Sequence, residues 1–327
     1  MFCHLITFFR KSFVLPFALL LFAVSAAAAP PTNFNQAKVL LKERVYHDQN
    51  VSGALGTLYC GCDWRWTGRS GGVVDHASCG YEVRAQANRA NRIEWEHVMP
   101  ASHFGQQRQC WQAGGRSNCT ANDSFFSLME ADMHNLSPAI GEVNADRSNY
   151  RFGVAGSGSV TYGQCSSKTN FKGRVFEPRD EAKGFVARVN FYMHDRYNLR
   201  MSEQQQRLFL AWDKAYPVSA WELERNRRIA AVTGNANPFV TGERVWSLGH
   251  KNAGDGLLAG GAGGAGGAAK AAGAAGSDGV VRGNRNSKIY HLVGCPSFDA
   301  MSARNIVQFS SEKDALAAGY RKAGNCP

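Results

Sequence analysis

The chain contains no apolar run long enough to cross a bilayer. Its longest, Phe13 to Val24, falls short of the roughly 20 residues that a spanning helix needs. Arg10 and Lys11 precede it, and Ser25 and the alanines up to Ala29 follow it. That pattern reads as a secretory signal peptide over residues 1–29, cleaved between Ala26 and Ala29. The sequence also lacks the H-E-x-x-H arrangement of helical zinc hydrolases. His97 and His103 are spaced too far apart to sit one helical turn from each other. Cys60 and Cys62 have a single residue between them, which is too tight for the usual zinc knuckle. Acidic residues are in deficit, 26 against 37 Lys and Arg, for a formal charge of +11. Loss of Arg10 and Lys11 with the signal lowers this by two, to +9. Such an excess predisposes a protein to bind a polyanion such as nucleic acid or an anionic surface.

Of the nine cysteines, Cys3 leaves with the signal. The other eight are Cys60, Cys62, Cys79, Cys110, Cys119, Cys165, Cys295 and Cys326. An even set in an exported chain reads as disulfides. Cys60 and Cys62 lie in the β-rich stretch TLYCGCDWRW, with different partners expected for each, such as Cys79 and one later cysteine. A short bridge from Cys110 to Cys119 would hold Arg116 on a constrained hairpin. The pairing of the first six stays open, since fifteen arrangements exist.

Taken in order, Thr32 is an N-cap candidate for a helix over Asn33 to Tyr46, with Ala37, Leu40, Leu41 and Val45 on one stripe. The central stretch is RIEWEHVMPASHFG, Arg92 to Gly105. As a strand it points Glu94 and Glu96 to one face and Trp95 and His97 to the other. A ligand and a base act at one centre only if the chain turns at His97, and Pro100 suits such a turn. Ala131 to Leu136 reads as a short strand, and Ser137-Pro138 as the start of a helix that carries Asn144. Helical patterns follow over 180–198, 202–216 and 219–232. The aromatics of the first of these read as core, and Arg225, Arg227 and Arg228 form a basic cluster on the third. That cluster could face phosphate, although a solvated helix face explains it as well. A Gly/Ala-rich tract is expected to link a domain of 30–250 to a small module of 280–327, with the linker over 251–279. So small a module needs a staple, and Cys295 and Cys326 are its only cysteines.

Glu96 and Asn144 offer a hard cation one carboxylate and one amide oxygen, enough where water and phosphate supply the rest. His97 could take a proton from water near neutral pH, and Arg116 could neutralise charge on a phosphorane-like transition state. Together RIEWEHVMPASHFG, the following QRQCWQAGGR, the run MHNLSPAIGEVNADRSN and the late basic helix resemble bacterial endonuclease I over roughly Leu40 to Val240. The resemblance implies an α+β fold, a ββα-metal nuclease core surrounded by helices and held by disulfides, with a small C-terminal α+β module. It implies His97 as general base, Glu96 and Asn144 as ligands of Mg²⁺ or of another divalent cation such as Mn²⁺ or Ca²⁺, and Arg116 on the phosphate. It also implies a periplasmic or secreted enzyme that cleaves DNA, and often RNA, to 5′-phosphorylated products with little sequence preference; the chain is expected to be a monomer. Glu94 then falls to a supporting role and His103 to packing. The tail GNRNSKIYHLVGC to NC resembles the zinc module of the adaptive-response methylphosphotriester repair protein. Only two of that module's four cysteine ligands are present. A Cys295–Cys326 disulfide is therefore expected, with His291 the remaining metal-ligand candidate. A non-catalytic nucleic-acid-binding protein would share the charge and the export signal, yet would not need Glu96, His97 and Asn144 together.

Overall fold

The computed structural model describes residues 30–259 and, apart from 293–294, 296–297, 299–300, 302–304, 310–311 and 325, residues 281–326. The signal segment and residues 260–280 of the expected linker lie outside the described residues.

The fold is built around a short antiparallel ribbon. Strand Ile93–His97 pairs with Leu136–Ile140, with Glu96 opposite Ser137 and His97 opposite Leu136. Both strands are buried along nearly their whole length. The seven-residue helix Gly141–Arg147 follows at once, its first N–H donating to the Arg92 carbonyl (2.9 Å). Strand, strand and helix form the ββα unit. The helix begins later than the Ser137-Pro138 signal suggests, because both residues belong to the second strand. Tyr46 takes the Ser137 hydroxyl (3.1 Å) that would have capped a helix. Proline is tolerated in a strand that has an open edge.

A hairpin, Trp64–Thr67 with Gly71–Val74, lies beside the ribbon and stacks Trp66 on Trp95. A four-stranded sheet has the order Arg151–Phe152, Val175–Glu177, Cys165–Asn170, Val160–Tyr162. The last of these strands falls in a stretch whose Gly and Ser content suggests loop.

Three helices, Asp180–Arg196, Glu203–Ala215 and Ala220–Thr233, close the core. Ser202 and Ser219 cap the second and third by accepting from Gln205 and Glu222 N–H groups. The first helix of the unit runs over Phe34–Leu40 and continues as a wider turn to Val45, burying Ala37, Leu41 and Val45. Its cap is Asn33, one residue after Thr32. The packed unit extends beyond 250. Helix Asp255–Ala259 is tied back by an Arg244–Asp255 ion pair, and Ala253 N–H donates to Asp195.

Four disulfides link Cys60 to Cys165, Cys62 to Cys79, Cys110 to Cys119 and Cys295 to Cys326. Cys60 and Cys62 stand on a tight turn instead of a strand, with Thr57 N–H donating to Cys62 O and Gly61 at φ +74°. The turn aims the two thiols at different partners. Cys110–Cys119 bridges two helices, Gln109–Gln112 and Gly115–Asn122, so Arg116 sits in a first helical turn and not on a hairpin. In the C-terminal module a sheet of order Ile306–Phe309, Val281–Asn284, Ile289–Leu292, Arg321–Lys322 carries helix Glu312–Ala317 over a core of Val281, Tyr290, Ala315 and Tyr320. His291 Nδ1 lies 4.0 Å from the Cys326 sulfur.

Candidate active site

A cavity of about 510 Å³ opens over the ribbon and the start of the following helix. His97, Glu96, Asn144 and Arg116 all line it. Residues from three separate elements thus meet at one centre, and Glu96 and His97 face it together despite their alternation along the strand.

Glu96 is 2 % exposed. Burial pushes its pKa up, against the pull of Arg147 and of the Tyr59 hydroxyl. One carboxylate oxygen, Oε1, accepts from Tyr59 Oη (2.7 Å) and pairs with Arg147 (2.9 Å). The other takes no hydrogen bond among the described residues. Asn144 donates from Nδ2 to Glu94 (2.9 Å). A carboxylate only accepts, so this contact fixes the amide and turns Oδ1 away as a spare acceptor. Glu94 is in turn gripped by Arg89 and Arg92. These ion pairs overcome its burial and hold its pKa below the ordinary value.

His97 bonds through Nε2 to the Glu130 carbonyl (2.8 Å). A carbonyl can only accept, so the proton is on Nε2 and Nδ1 is bare. Burial first, and then the Arg116 charge, lower the ring's pKa to about 3. The ring therefore stays neutral. Phe34 packs against it with centroids 4.7 Å apart. Arg116 pairs with the Glu130 carboxylate (2.7 Å) and remains 47 % exposed, open to an incoming anion. Glu130 thus anchors the histidine with its backbone and the arginine with its side chain.

The late basic cluster lies elsewhere. Arg225 is buried, donating to Tyr46 Oη and to the carbonyls of Met133, His134 and Leu136. Arg227 pairs with Glu224, and Arg228 with Glu224 and Asp48. All three have partners within the chain, Arg227 on an exposed helix face, and none lines the cavity. Tyr59, Arg147, Glu130, Phe34 and Lys38 do belong to the site's surroundings and escape a reading of the sequence. Only Arg147 carries a local signal, standing three residues after Asn144 on one helix and so on a shared face. His103 is half-buried, bonded to the Asn149 carbonyl (3.0 Å).

The sequence model of the endonuclease I family matches residues 33–243, which spans the ββα unit and every residue of the cavity. The chain belongs to the endonuclease I family. It is a nuclease of that family, with the mixed α+β core that the family implies. An extracellular deoxyribonuclease of Aeromonas hydrophila is 52 % identical over 60 % of this chain and 84 % of its own length. A periplasmic deoxyribonuclease of the same organism is 45 % identical over 71 % of this chain and 97 % of its own. An extracellular ribonuclease of Bacillus subtilis is 33 % identical over 33 % of this chain and 43 % of its own. The names of these relatives place them outside the cytoplasm, and no described helix is long and apolar enough to cross a membrane. A second family model, ArfC, matches residues 260–322.

The donor set fits a hard cation. Glu96 and Asn144 both line the cavity and each carries a side-chain oxygen, and hard cations prefer oxygen. No group of three or more His, Cys, Asp or Glu gathers around a common point among the described residues. Water and substrate phosphate would complete the shell, as Mg²⁺ commonly allows.

Proposed function

We propose that the protein is an exported, monomeric, Mg²⁺-dependent endonuclease that hydrolyses phosphodiester bonds of DNA, and of RNA, with little sequence preference. The observation that carries this is the bond from His97 Nε2 to the buried Glu130 carbonyl, made by a histidine that lines the same cavity as Glu96, Asn144 and Arg116. It leaves a neutral imidazole with Nδ1 unprotonated, the form a general base needs.

Glu96 and Asn144 hold the divalent cation. When bound, that ion polarises the scissile phosphate and eases departure of the 3′-oxygen. His97 Nδ1 removes the proton from an attacking water, and because the 3′-oxygen is the leaving group the phosphate stays on the 5′ end of the downstream fragment. Arg116 meets the negative charge that gathers on the non-bridging oxygens. Arg147 and Tyr59 keep the Glu96 carboxylate aimed, and Glu94 keeps the Asn144 amide turned. Contacts to phosphate and sugar, and not to base edges, account for weak sequence preference.

The test is plasmid cleavage by the mature protein in excess Mg²⁺, beside EDTA and a His97→Ala variant. Wild type should nick and linearise the plasmid, EDTA should stop it, and His97→Ala should lose roughly 10²–10⁴ in rate. An intact plasmid under several divalent cations refutes the nuclease reading. A His97→Ala variant as fast as wild type refutes the role of His97.

A further inference from the structure

Four cations line the catalytic cavity: Lys38, Arg89, Arg116 and Arg147. Three are paired with carboxylates, Arg89 with Glu94, Arg116 with Glu130 and Arg147 with Glu96. Lys38 has no ion pair among the described residues. It stands on the first helix one turn after Phe34, and its Nζ lies 4.7 Å from the centre of that ring. Arg116 approaches the same ring, 5.8 Å from its centre. The Phe34 ring packs on His97. Lys38 is therefore held near His97 and a second cation, half-buried, with its ammonium over the face of Phe34. Burial first, and then the Arg116 charge, press its pKa below the ordinary lysine value, opposed by Glu130.

Bringing two cations together at the edge of a cavity is unfavourable unless an anion comes between them. An ordinary structural lysine would reach solvent or a carboxylate. We propose that Lys38 is a substrate-binding residue whose ammonium contacts a phosphate of the bound strand, so that the first helix forms the second half of a phosphate clamp opposite Arg116. This rests on the nuclease reading above and adds to it the wall of the cavity that grips the strand.

The experiment measures binding of a fluorescein-labelled 16-base-pair DNA duplex by anisotropy, in EDTA, across a salt series. Lys38→Met keeps the aliphatic stem over Phe34 and removes the charge, while Lys38→Arg keeps the charge. The expected result for Lys38→Met is a Kd raised roughly fivefold to tenfold at low salt, and a log Kd against log salt slope smaller by about 0.9, the contribution of one phosphate. Lys38→Arg should keep the wild-type slope, and the melting temperature of both variants should match wild type. A wild-type slope in Lys38→Met overturns the proposal, since the slope counts phosphates. A weakened Kd that tracks a lowered melting temperature overturns it too, in favour of a packing role. A wild-type protein that binds the duplex but never cleaves it with metal would instead defeat the nuclease reading and leave the Lys38 contact standing.

Discussion

Replacing Tyr59 with phenylalanine tests how the fold would position Glu96, the proposed metal ligand. The ring is fully buried and packs edge-on against Phe176 with centroids 4.6 Å apart. Its backbone carbonyl accepts from Ser167 Oγ (2.6 Å), and the neighbouring Cys60 is bonded to Cys165. A phenylalanine ring should therefore occupy the same place, so that only the hydroxyl is lost. That hydroxyl donates to Glu96 Oε1, which then keeps Arg147 alone. Losing a buried hydrogen bond to a charged group costs about 1.5–3 kcal/mol. For a unit of this size that is a fall in Tm of about 3–12 °C. Outer-shell partners of metal ligands typically change affinity by about 10–100-fold. The midpoint of Mg²⁺ activation of plasmid cleavage should therefore rise by at least tenfold, while the rate at saturating Mg²⁺ stays near wild type. A Tm that falls with an unmoved Mg²⁺ midpoint would show that Tyr59 supports the core and does not aim Glu96, and the reasoning would fail.

Two further outcomes concern the scaffold. His134 and His194 are buried, and burial first of all lowers the pKa of each to about 4, against about 6.5 for an unfolded histidine. The unfolded chain therefore binds more protons between these values. Stability should be fully present above about pH 6.5, fall as pH drops towards 4, and flatten below, by about 3 kcal/mol per histidine. Chemical denaturation at pH 7, 5.5 and 4 checks this, and unchanged midpoints would contradict it. The Cys60–Cys165 bond closes a sequence separation of 105 residues, so a Cys60→Ser, Cys165→Ser variant should lose about 4–5 kcal/mol. Equilibrium unfolding without reductant measures that loss.

What could be read from the chain was what is decided locally. The three late helices announce themselves through their periodicity and through Ser202 and Ser219, whose hydroxyls act within three residues. Cys110 and Cys119 pair with their neighbour in sequence, whereas Cys60 chooses a partner 105 residues away. Ser137-Pro138 shows a local signal overruled. The strand holding Glu96 and His97 needs a partner along its length, and Tyr46 claims the capping hydroxyl, so the ladder runs on to Ile140. Arg225 shows a composition signal overruled. Its neighbours look like a basic surface, yet its acceptors lie on Tyr46 and around Leu136, distant in sequence. That Glu96, His97, Asn144 and Arg116 line one cavity was legible because their motifs are compact. Tyr59, Glu130 and Lys38 were not: Lys38 lines the cavity and the other two bond to residues that line it, each from a segment with no sequence link to the central motifs.

The helix Gly141–Arg147 shows how such distant pieces are brought into register. Seven residues are too few for a stable helix in isolation, so its position must come from outside. Glu142 accepts from the Tyr81 hydroxyl and from the N–H groups of Arg84, Ala85 and Gln86. Asp146 accepts from Arg84, Gln86 and Tyr162. Arg147 reaches the other way, to the carbonyls of His97 and Val98 and to Glu96. These bonds are directional, unlike apolar packing, and they fix both the rotation and the height of the helix. Asn144 stands between them on the same short helix. Its side chain is therefore brought to the cavity that Glu96 also lines by bonds that Asn144 itself does not make. The same Arg147 that braces the helix also aims the carboxylate. One cation thereby braces both the Glu96 carboxylate and the helix that carries Asn144, so the placement of the two proposed ligands depends on the whole ββα unit being formed.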